Sequence, residues 1–180
     1  RLARAQLLTL ALSLVADAIT FSAANLHSFC TTVTWAGLRT SLGLAAEAHD
    51  AQLAAGVVGG LIGLAIGDIS AGMSHFDHVL RPSEGAQLPK ARLVVVHPGA
   101  VAAAFELATV PALRQALLAV LDTLIDAHPR NARVLARTPI ASQLLFAEAF
   151  PMRHRILAGL LADGIGYADV RKILESPLEK

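Results

Sequence analysis

The feature that most constrains the fold of this 180-residue chain is the uncharged run "AGVVGGLIGLAIGD", residues 55–68. It sets five glycines among Val, Leu, Ile and Ala before it ends at Asp68; these are Gly56, Gly59, Gly60, Gly63 and Gly67. The uncharged stretch 51–67 is shorter than the ~20 residues that a membrane-spanning helix requires. The four-residue spacing of Gly59, Gly63 and Gly67 lets helices approach closely in water or in lipid. The run therefore predicts a closely packed core helix or a membrane-inserting hairpin.

Most of the remaining chain has apolar residues at helical spacing, and prolines interrupt it. At this length one domain can bury a sizeable core. We expect one compact all-α domain of about seven to nine helices over residues 1–180. Because the sequence starts at Arg1 rather than methionine, we expect a domain excised from a longer chain. The predicted helices are 2–24, 26–42 (ended by Gly43), 45–64, one from Pro89, one reaching Ala108, one from Pro111, a loop or short helix at 128–138, one from Pro139, one after Pro151, and 169–175.

Two stretches are predicted to be other than helical. Residues 75–87, "HFDHVLRPSEGAQ", are polar and contain a proline, and so predict a loop. Residues 93–96 alternate weakly with a period of two, but the stretch is too short to predict a sheet.

Charge and cysteine content exclude several classes of function. The formal net charge is +1 and the basic residues are scattered, so no nucleic-acid-binding surface is predicted. The spacing of Arg130, Arg133 and Arg137 predicts one solvated helix face rather than a phosphate site. With Cys30 as the only cysteine, no internal disulfide can form, which favours a reducing, cytoplasmic location. The apolar and Thr residues around Cys30 predict a small buried core residue.

Histidines and carboxylates offer candidate metal ligands without paired local spacing such as HExxH. His49 and Asp50 are adjacent, and His75, Asp77 and His78 share the predicted loop. For each histidine, we expect a surface or hydrogen-bonded position rather than a metal-binding role. His27 and His97 lie in apolar helical sequence, where we expect a buried histidine whose ring is hydrogen-bonded rather than a metal ligand.

The order of landmarks along the chain carries more information. Residues 26–44, "LHSFCTTVTWAGLRTSLGL", resemble the "HSxRVxxxAxxLAxxLGL" opening of HD-GYP phosphodiesterase domains, the cyclic-di-GMP hydrolases of bacteria. In that family a helix then ends in "LAALLHDIGKxxIPD", and the counterpart here is "LAAGVVGGLIGLAIGD". In this alignment the metal-binding His-Asp pair of the family falls on Gly59 and Gly60. The family lysine falls on Gly63, its proline on Gly67 and its aspartate on Asp68.

The resemblance extends over nearly the whole chain, as an order of landmarks and apolar spacing. Residues 88–107, "LPKARLVVVHPGAVAAAFEL", resemble the family helix that leads to "HPxxGxxIL", with His97 at its histidine. Residues 138–150, "TPIASQLLFAEAF", resemble "IPLxARILAVADVFDAL", with Glu148 at its aspartate. Between them, residues 117–138 lack both the paired histidines and the Gly-Tyr-Pro of the family.

These departures imply an eroded metal site. In the family the His-Asp pair helps to hold the metal ions that activate the attacking water, and glycine has no side chain to replace it. His27, His97, Glu148 and Asp68 remain as possible residual ligands. We therefore expect no bound metal, no cofactor and no catalysis. The resemblance then implies a regulatory or protein-interaction module of bacterial signalling. Its expected partner is a diguanylate cyclase, another signalling domain or a second copy of itself.

Two alternatives remain open at this point. One is a residual metal-dependent phosphodiesterase that uses Fe or Mn, built on His27, His97, Glu148 and the His49-Asp50 pair. The other is a membrane-inserting helical domain of a secreted toxin or effector. In that second case Gly59, Gly63 and Gly67 pack a hairpin, and His75 and His78 sense pH.

Overall fold

The structure, a computed structural model, describes residues 2–46, 51–82, 93–146 and 151–162. These residues form ten α-helices and one π-helix, with no strand among them, which confirms the all-α prediction. The helix count slightly exceeds the expected seven to nine. The elements are α1 (Leu2–Thr20), α2 (Ala23–Ser28), the π-helix (Phe29–Val33), α3 (Trp35–Ala46), α4 (Ala51–Ile66), α5 (Ile69–Leu80), α6 (Pro98–Leu107), α7 (Pro111–Ala127), α8 (Pro129–Ala136), α9 (Ala141–Phe146) and α10 (Arg153–Ala162).

Helix α4 is the centre of the core. Every residue from Val57 to Ile66 is buried. The helices α1, α3, α5, α6 and α7 all pack against it. A helix that is apolar on every side is stable in water only when neighbours cover every side. The glycine-rich run is therefore a core helix in this structure.

Two residues end α4 and begin α5. Gly67 has a φ of +73°, the left-handed conformation that favours glycine at a helix C-terminus. The backbone N–H of Asp68 donates to the Gly63 carbonyl at 2.9 Å. The Asp68 carboxylate then accepts the N–H of Ala71 at 2.9 Å and caps α5. The result is a tight helical hairpin.

Prolines mark three helix starts, of which the sequence predicts the one at Pro111. Pro98, Pro111 and Pro129 each occupy the first turn of their helix. Proline suits that position because its missing N–H would have no partner inside the helix. The short-helix option for residues 128–138 is also confirmed, by α8.

Several predicted boundaries are wrong. Residues 75–80 are the second half of α5 rather than a loop, because Phe76 and its apolar neighbours face the core at helical spacing. The predicted helix 2–24 divides at Phe21, because the Ser22 side chain accepts the Asn25 N–H at 3.2 Å and starts a new helix. The predicted helix 26–42 is interrupted by the π-helix, and α3 continues past Gly43 to Ala46.

Cys30 is exposed rather than buried. It lies in the π-helix, in which only Phe29 is buried, so the apolar and Thr neighbours that predicted burial are themselves mostly exposed. The predicted helix start at Pro89 and the helix 169–175 lie outside the described residues.

Buried Asn131 of α8 fixes the non-helical segment before α6. Its Oδ1 accepts the Val95 N–H at 2.9 Å, and its Nδ2 donates to the carbonyls of Leu93 and Leu124 at 2.6 and 2.7 Å. Beyond Val95, the N–H groups of Val96 and His97 both donate to the Ala65 carbonyl, at 2.8 and 3.0 Å. His97 is thereby held beside the C-terminal end of α4.

Among the described helices, none alone combines the length and apolarity needed to cross a membrane. Residues 6–20 and 23–33 meet those criteria only as a pair, with a bend of 114° between them.

Candidate functional site

The positions aligned with the family His-Asp pair, Gly59 and Gly60, lie buried in the middle of α4. A Cβ at Gly59 would lie 3.3 Å from the Cβ of Phe76 and 3.4 Å from the Cα of Met73, both in α5. A Cβ at Gly60 would overlap the side chain of Leu12 in α1. At residue 60 the Leu12 side chain thus occupies the space that a side chain would need. At residue 59 the first side-chain carbon would press on α5, at the edge of a cavity of about 350 Å³ that Gly59 and Phe76 help to line.

Two further glycines, Gly63 in α4 and Gly72 in α5, let the backbones of these helices come into contact. A Cβ at Gly63 would lie 2.5 Å from the Cα of Ile69. A Cβ at Gly72 would overlap the backbone of Gly63 itself. Gly63 and Gly67 therefore serve a helical hairpin, as the four-residue glycine spacing predicts, and the α4 side of that hairpin lies within the core.

His97, a predicted residual ligand, is a buried histidine with a neutral neighbour. Its Nε2 lies 3.1 Å from the Thr20 hydroxyl. Its ring centroid is 6.0 Å from that of Trp35. Burial lowers the pKa of His97 below its ordinary value of 6.5, so the ring is neutral at pH 7. No charge contributes to that shift. The structure therefore places His97 in the role of a satisfied core histidine.

Aromatic packing surrounds His97 on the Trp35 side. The Trp35 ring meets Phe29 edge to face at a centroid distance of 4.8 Å. Gly99 provides the room, because a Cβ there would overlap the indole. Thr34, between the π-helix and α3, has a φ of 61°, a conformation that costs a non-glycine residue energy.

Sequence reasoning missed this cluster of Thr20, Phe29, Trp35 and His97. The one local signal near this cluster is Thr34, a residue type that caps helices. Its hydroxyl accepts the Gly37 N–H at 3.1 Å and so caps α3. Strained residues and π-helical turns are enriched at functional sites. A neutral imidazole beside one hydroxyl can form a hydrogen bond, and it has no charged partner to activate it.

The described residues among the other predicted ligands have separate roles. His27 is exposed on α2, and Asp68 caps α5. Glu148 and the His49-Asp50 pair lie outside the described residues. Within the described ranges, no three His, Cys, Asp or Glu side chains come close enough to hold a metal ion. The described donors therefore do not fit the multi-metal centre that the resemblance implies.

Helices α5 and α7 bury polar atoms that no side chain or backbone group satisfies. Both ring nitrogens of His75, Nδ1 of His78 and Oδ1 of Asp122 are buried without a hydrogen-bond partner. Burial first, and then the charge of His78, lowers the pKa of His75 below 6.5. Both histidines were expected in an exposed loop, and the structure places them in α5, with His75 in the core.

Helix α8 presents the predicted arginine face. Arg130, Arg133 and Arg137 are all exposed, which confirms a solvated face. They line a shallow groove together with His128. Nothing in this groove distinguishes it as a binding site.

No protein-family model, no curated protein and no solved structure matches the chain. The likeness to HD-GYP domains remains a prediction from the order of sequence landmarks.

Proposed function

We propose that this chain is a catalytically inactive HD-GYP-like domain that acts as a regulatory, protein-binding module in bacterial signalling. The observation that carries the proposal is the packing at Gly59 and Gly60. Leu12 and Phe76 pack against the two glycines that stand where the family places two metal ligands.

The packing favours this proposal on energetic grounds. A hydrated metal centre keeps charged groups inside a protein only while ligands compensate each charge. In α4 the two central ligand positions lack side chains, and the residues from Val57 to Ile66 are buried without a charged group among them. Apolar contacts stabilise this interior without any metal.

Two of the remaining donors are engaged in structural contacts. His97 lies beside the Thr20 hydroxyl, and Asp68 accepts the Ala71 N–H. A metal ligand at either position would have to give up the contact that it makes in the fold. This supports a role in which the domain binds and does not cleave.

A signalling domain without chemistry acts through the proteins that it contacts. The resemblance makes a diguanylate cyclase or another signalling domain the expected class of partner. Isothermal titration of the chain into diguanylate cyclase domains encoded in the same genome tests this half of the proposal. Saturable binding to one of them supports it, and absence of heat with all of them overturns that choice of partner.

The catalytic half is tested by turnover of cyclic-di-GMP after loading with Mn²⁺ or Fe²⁺, followed by chromatography of the products. A working HD-GYP phosphodiesterase serves as the positive control. We expect no product above the protein-free rate. Turnover that disappears in His97→Ala and persists in Arg130→Ala would overturn the proposal and establish the residual phosphodiesterase.

A further inference from the structure

The cavity of about 350 Å³ beside Gly59 lies between α4 and α5, on the side of the Gly59–Phe76 contact that faces away from the hairpin turn. Its floor is apolar, formed by the buried residues Ala55, Gly59 and Phe76 and the half-buried Met73. Its rim includes four exposed polar side chains: Gln52, Ser74, Asp77 and Arg81. An apolar floor with a few polar groups at the mouth is typical of small-molecule sites, whose volumes start at about 300 Å³.

Glycines shape this cavity in two ways. The backbone contact between Gly63 and Gly72 sets the place where α4 and α5 cross, and helices that cross at one place separate on either side of it. Gly56 lines the cavity farther along α4, where a Cβ would meet only Leu8, at 3.9 Å. No close approach therefore requires a glycine at residue 56, although glycine is less favourable than alanine in a helix. Its effect there is to leave the cavity wider.

Arg81 is the cation at the mouth, and Asp77 holds its guanidinium in place. Both Nε, at 3.0 Å, and Nη2 donate to Oδ1 of Asp77. These bonds use two of the five N–H groups of the guanidinium, so three can donate to a second acceptor. A carboxylate, with two oxygens, matches the forked guanidinium. Because Asp77 already orients Arg81, less side-chain freedom is lost when an anion binds.

We propose that this cavity binds a small monocarboxylate with an unbranched apolar chain, the chain on the floor and the carboxylate beside Arg81. The side chains of Ala55, Met73 and Phe76 give the floor an apolar surface, where a polar group would lose its hydration without gaining a hydrogen bond. One guanidinium paired with an aspartate suits a single negative charge better than the several charges of a nucleotide. The inference does not rest on the proposed function, because the lining of the cavity alone carries it.

Isothermal titration of octanoate into the whole 180-residue chain at pH 7.5 tests the proposal. The mouth is open to water, and Asp77 offsets part of the charge of Arg81. We therefore expect saturable binding at one site, with a dissociation constant of about 100 µM. Absence of saturable binding to the wild-type chain would overturn the proposal.

The role of Arg81 is tested by Arg81→Gln, with Arg130→Gln as the matched control because Arg130 is also exposed and lies on α8. Loss of a charged hydrogen bond should weaken octanoate binding about tenfold in Arg81→Gln and leave it unchanged in Arg130→Gln. 1-Octanol has the same chain without the charge, so it should bind the wild-type chain and Arg81→Gln alike. Equal weakening of octanoate by both arginine variants, or equal weakening of octanol and octanoate by Arg81→Gln, would overturn the carboxylate site at Arg81.

The floor is tested by Gly56→Leu, which adds a side chain to the wall of the cavity. We expect it to weaken octanoate and 1-octanol together, since it removes space that both chains need. Circular dichroism checks that the variant folds, and the comparison of Arg81→Gln with Arg130→Gln decides the matter if it does not. Unchanged octanoate binding to a folded Gly56→Leu protein would place the ligand elsewhere and overturn the proposal.

Discussion

Phe76 of α5 lies directly against Gly59 of α4, so that a Cβ on the glycine would come within 3.3 Å of the Cβ of Phe76. In the HD-GYP alignment the glycine replaces a metal-binding histidine. The residue that the resemblance aligns with a metal ligand is therefore also a residue of the α4–α5 packing. A side chain restored at residue 59 would press on Phe76 and Met73 of α5 before it could bind a metal ion.

Gly59→His is expected to destabilise the fold without creating a metal site. Overpacking a core costs about 1–3 kcal/mol, and the first side-chain carbon at residue 59 would already press on Phe76 and Met73. The matched control is Gly56→His in the same helix, since a Cβ at Gly56 meets only Leu8, at 3.9 Å. Urea unfolding measures both. A Gly59→His protein as stable as the Gly56→His protein would show that the space at residue 59 is open.

Asp68 has a capping role that can be separated from ligation. Its carboxylate accepts the Ala71 N–H at 2.9 Å. Asp68→Ala should lower the free energy of unfolding by about 1 kcal/mol, whereas Asp68→Asn should be close to neutral because asparagine caps helices as well as aspartate. Thermal unfolding of both variants checks this. Equal destabilisation by Asn and Ala would mean that the negative charge itself matters at residue 68.

Acid sensitivity should depend on His75. Its pKa is lowered in the folded state, so below about pH 6.5 the unfolded chain binds more protons than the folded one. Stability is therefore full above that pH and falls as the pH drops toward the lowered pKa. His97, lowered by burial, adds to the same trend.

His75→Leu should remove the His75 share of that acid sensitivity. It also removes two unpaired buried nitrogens, and should raise stability at pH 7 by about 1 kcal/mol. The measurement is urea unfolding between pH 5 and 8, with exposed His27→Gln as control. An unchanged slope in His75→Leu would contradict the assignment of acid sensitivity to this residue.

Asn131 is expected to be the most sensitive polar residue of the described core. Asn131→Ala removes three hydrogen bonds and leaves backbone groups of Leu93, Val95 and Leu124 unpaired, a loss of about 2–4 kcal/mol. Asn25→Ala is the control, because the side-chain amide of exposed Asn25 donates to the Ala18 carbonyl, at 3.1 Å. Hydrogen exchange at the Val95 N–H should accelerate in Asn131→Ala. Unchanged exchange there would show that the segment is held by other contacts.

Local patterns in the sequence predicted much of the fold. Apolar spacing predicts the helices, and Pro111 predicts the start of α7, because both act within one or two turns of chain. The polar residues around His75 predicted a loop. That prediction gave more weight to composition than to the helical spacing of Met73, Phe76 and Leu80. The structure shows a helix there, in which the apolar spacing prevails.

The contacts of the candidate site could not be predicted in this way. Thr20 and His97 are 77 residues apart, and no local pattern connects them. The sequence shows that Gly63 lacks a side chain, but its contact with Gly72 depends on the crossing of two helices. Likewise, only the packing of α1 and α5 shows that Leu12 and Phe76 occupy the space beside Gly60 and Gly59.

The central claim, that α4 holds no working metal centre, is tested most directly by bound transition metal. Protein purified without chelator is soaked in Mn²⁺ or Fe²⁺, desalted and analysed by mass spectrometry, beside His97→Ala and His27→Ala. The account predicts no retained metal in the wild-type chain or in either variant. Metal at about one equivalent or more in the wild-type chain, lost in His97→Ala or His27→Ala, would contradict it and restore the phosphodiesterase.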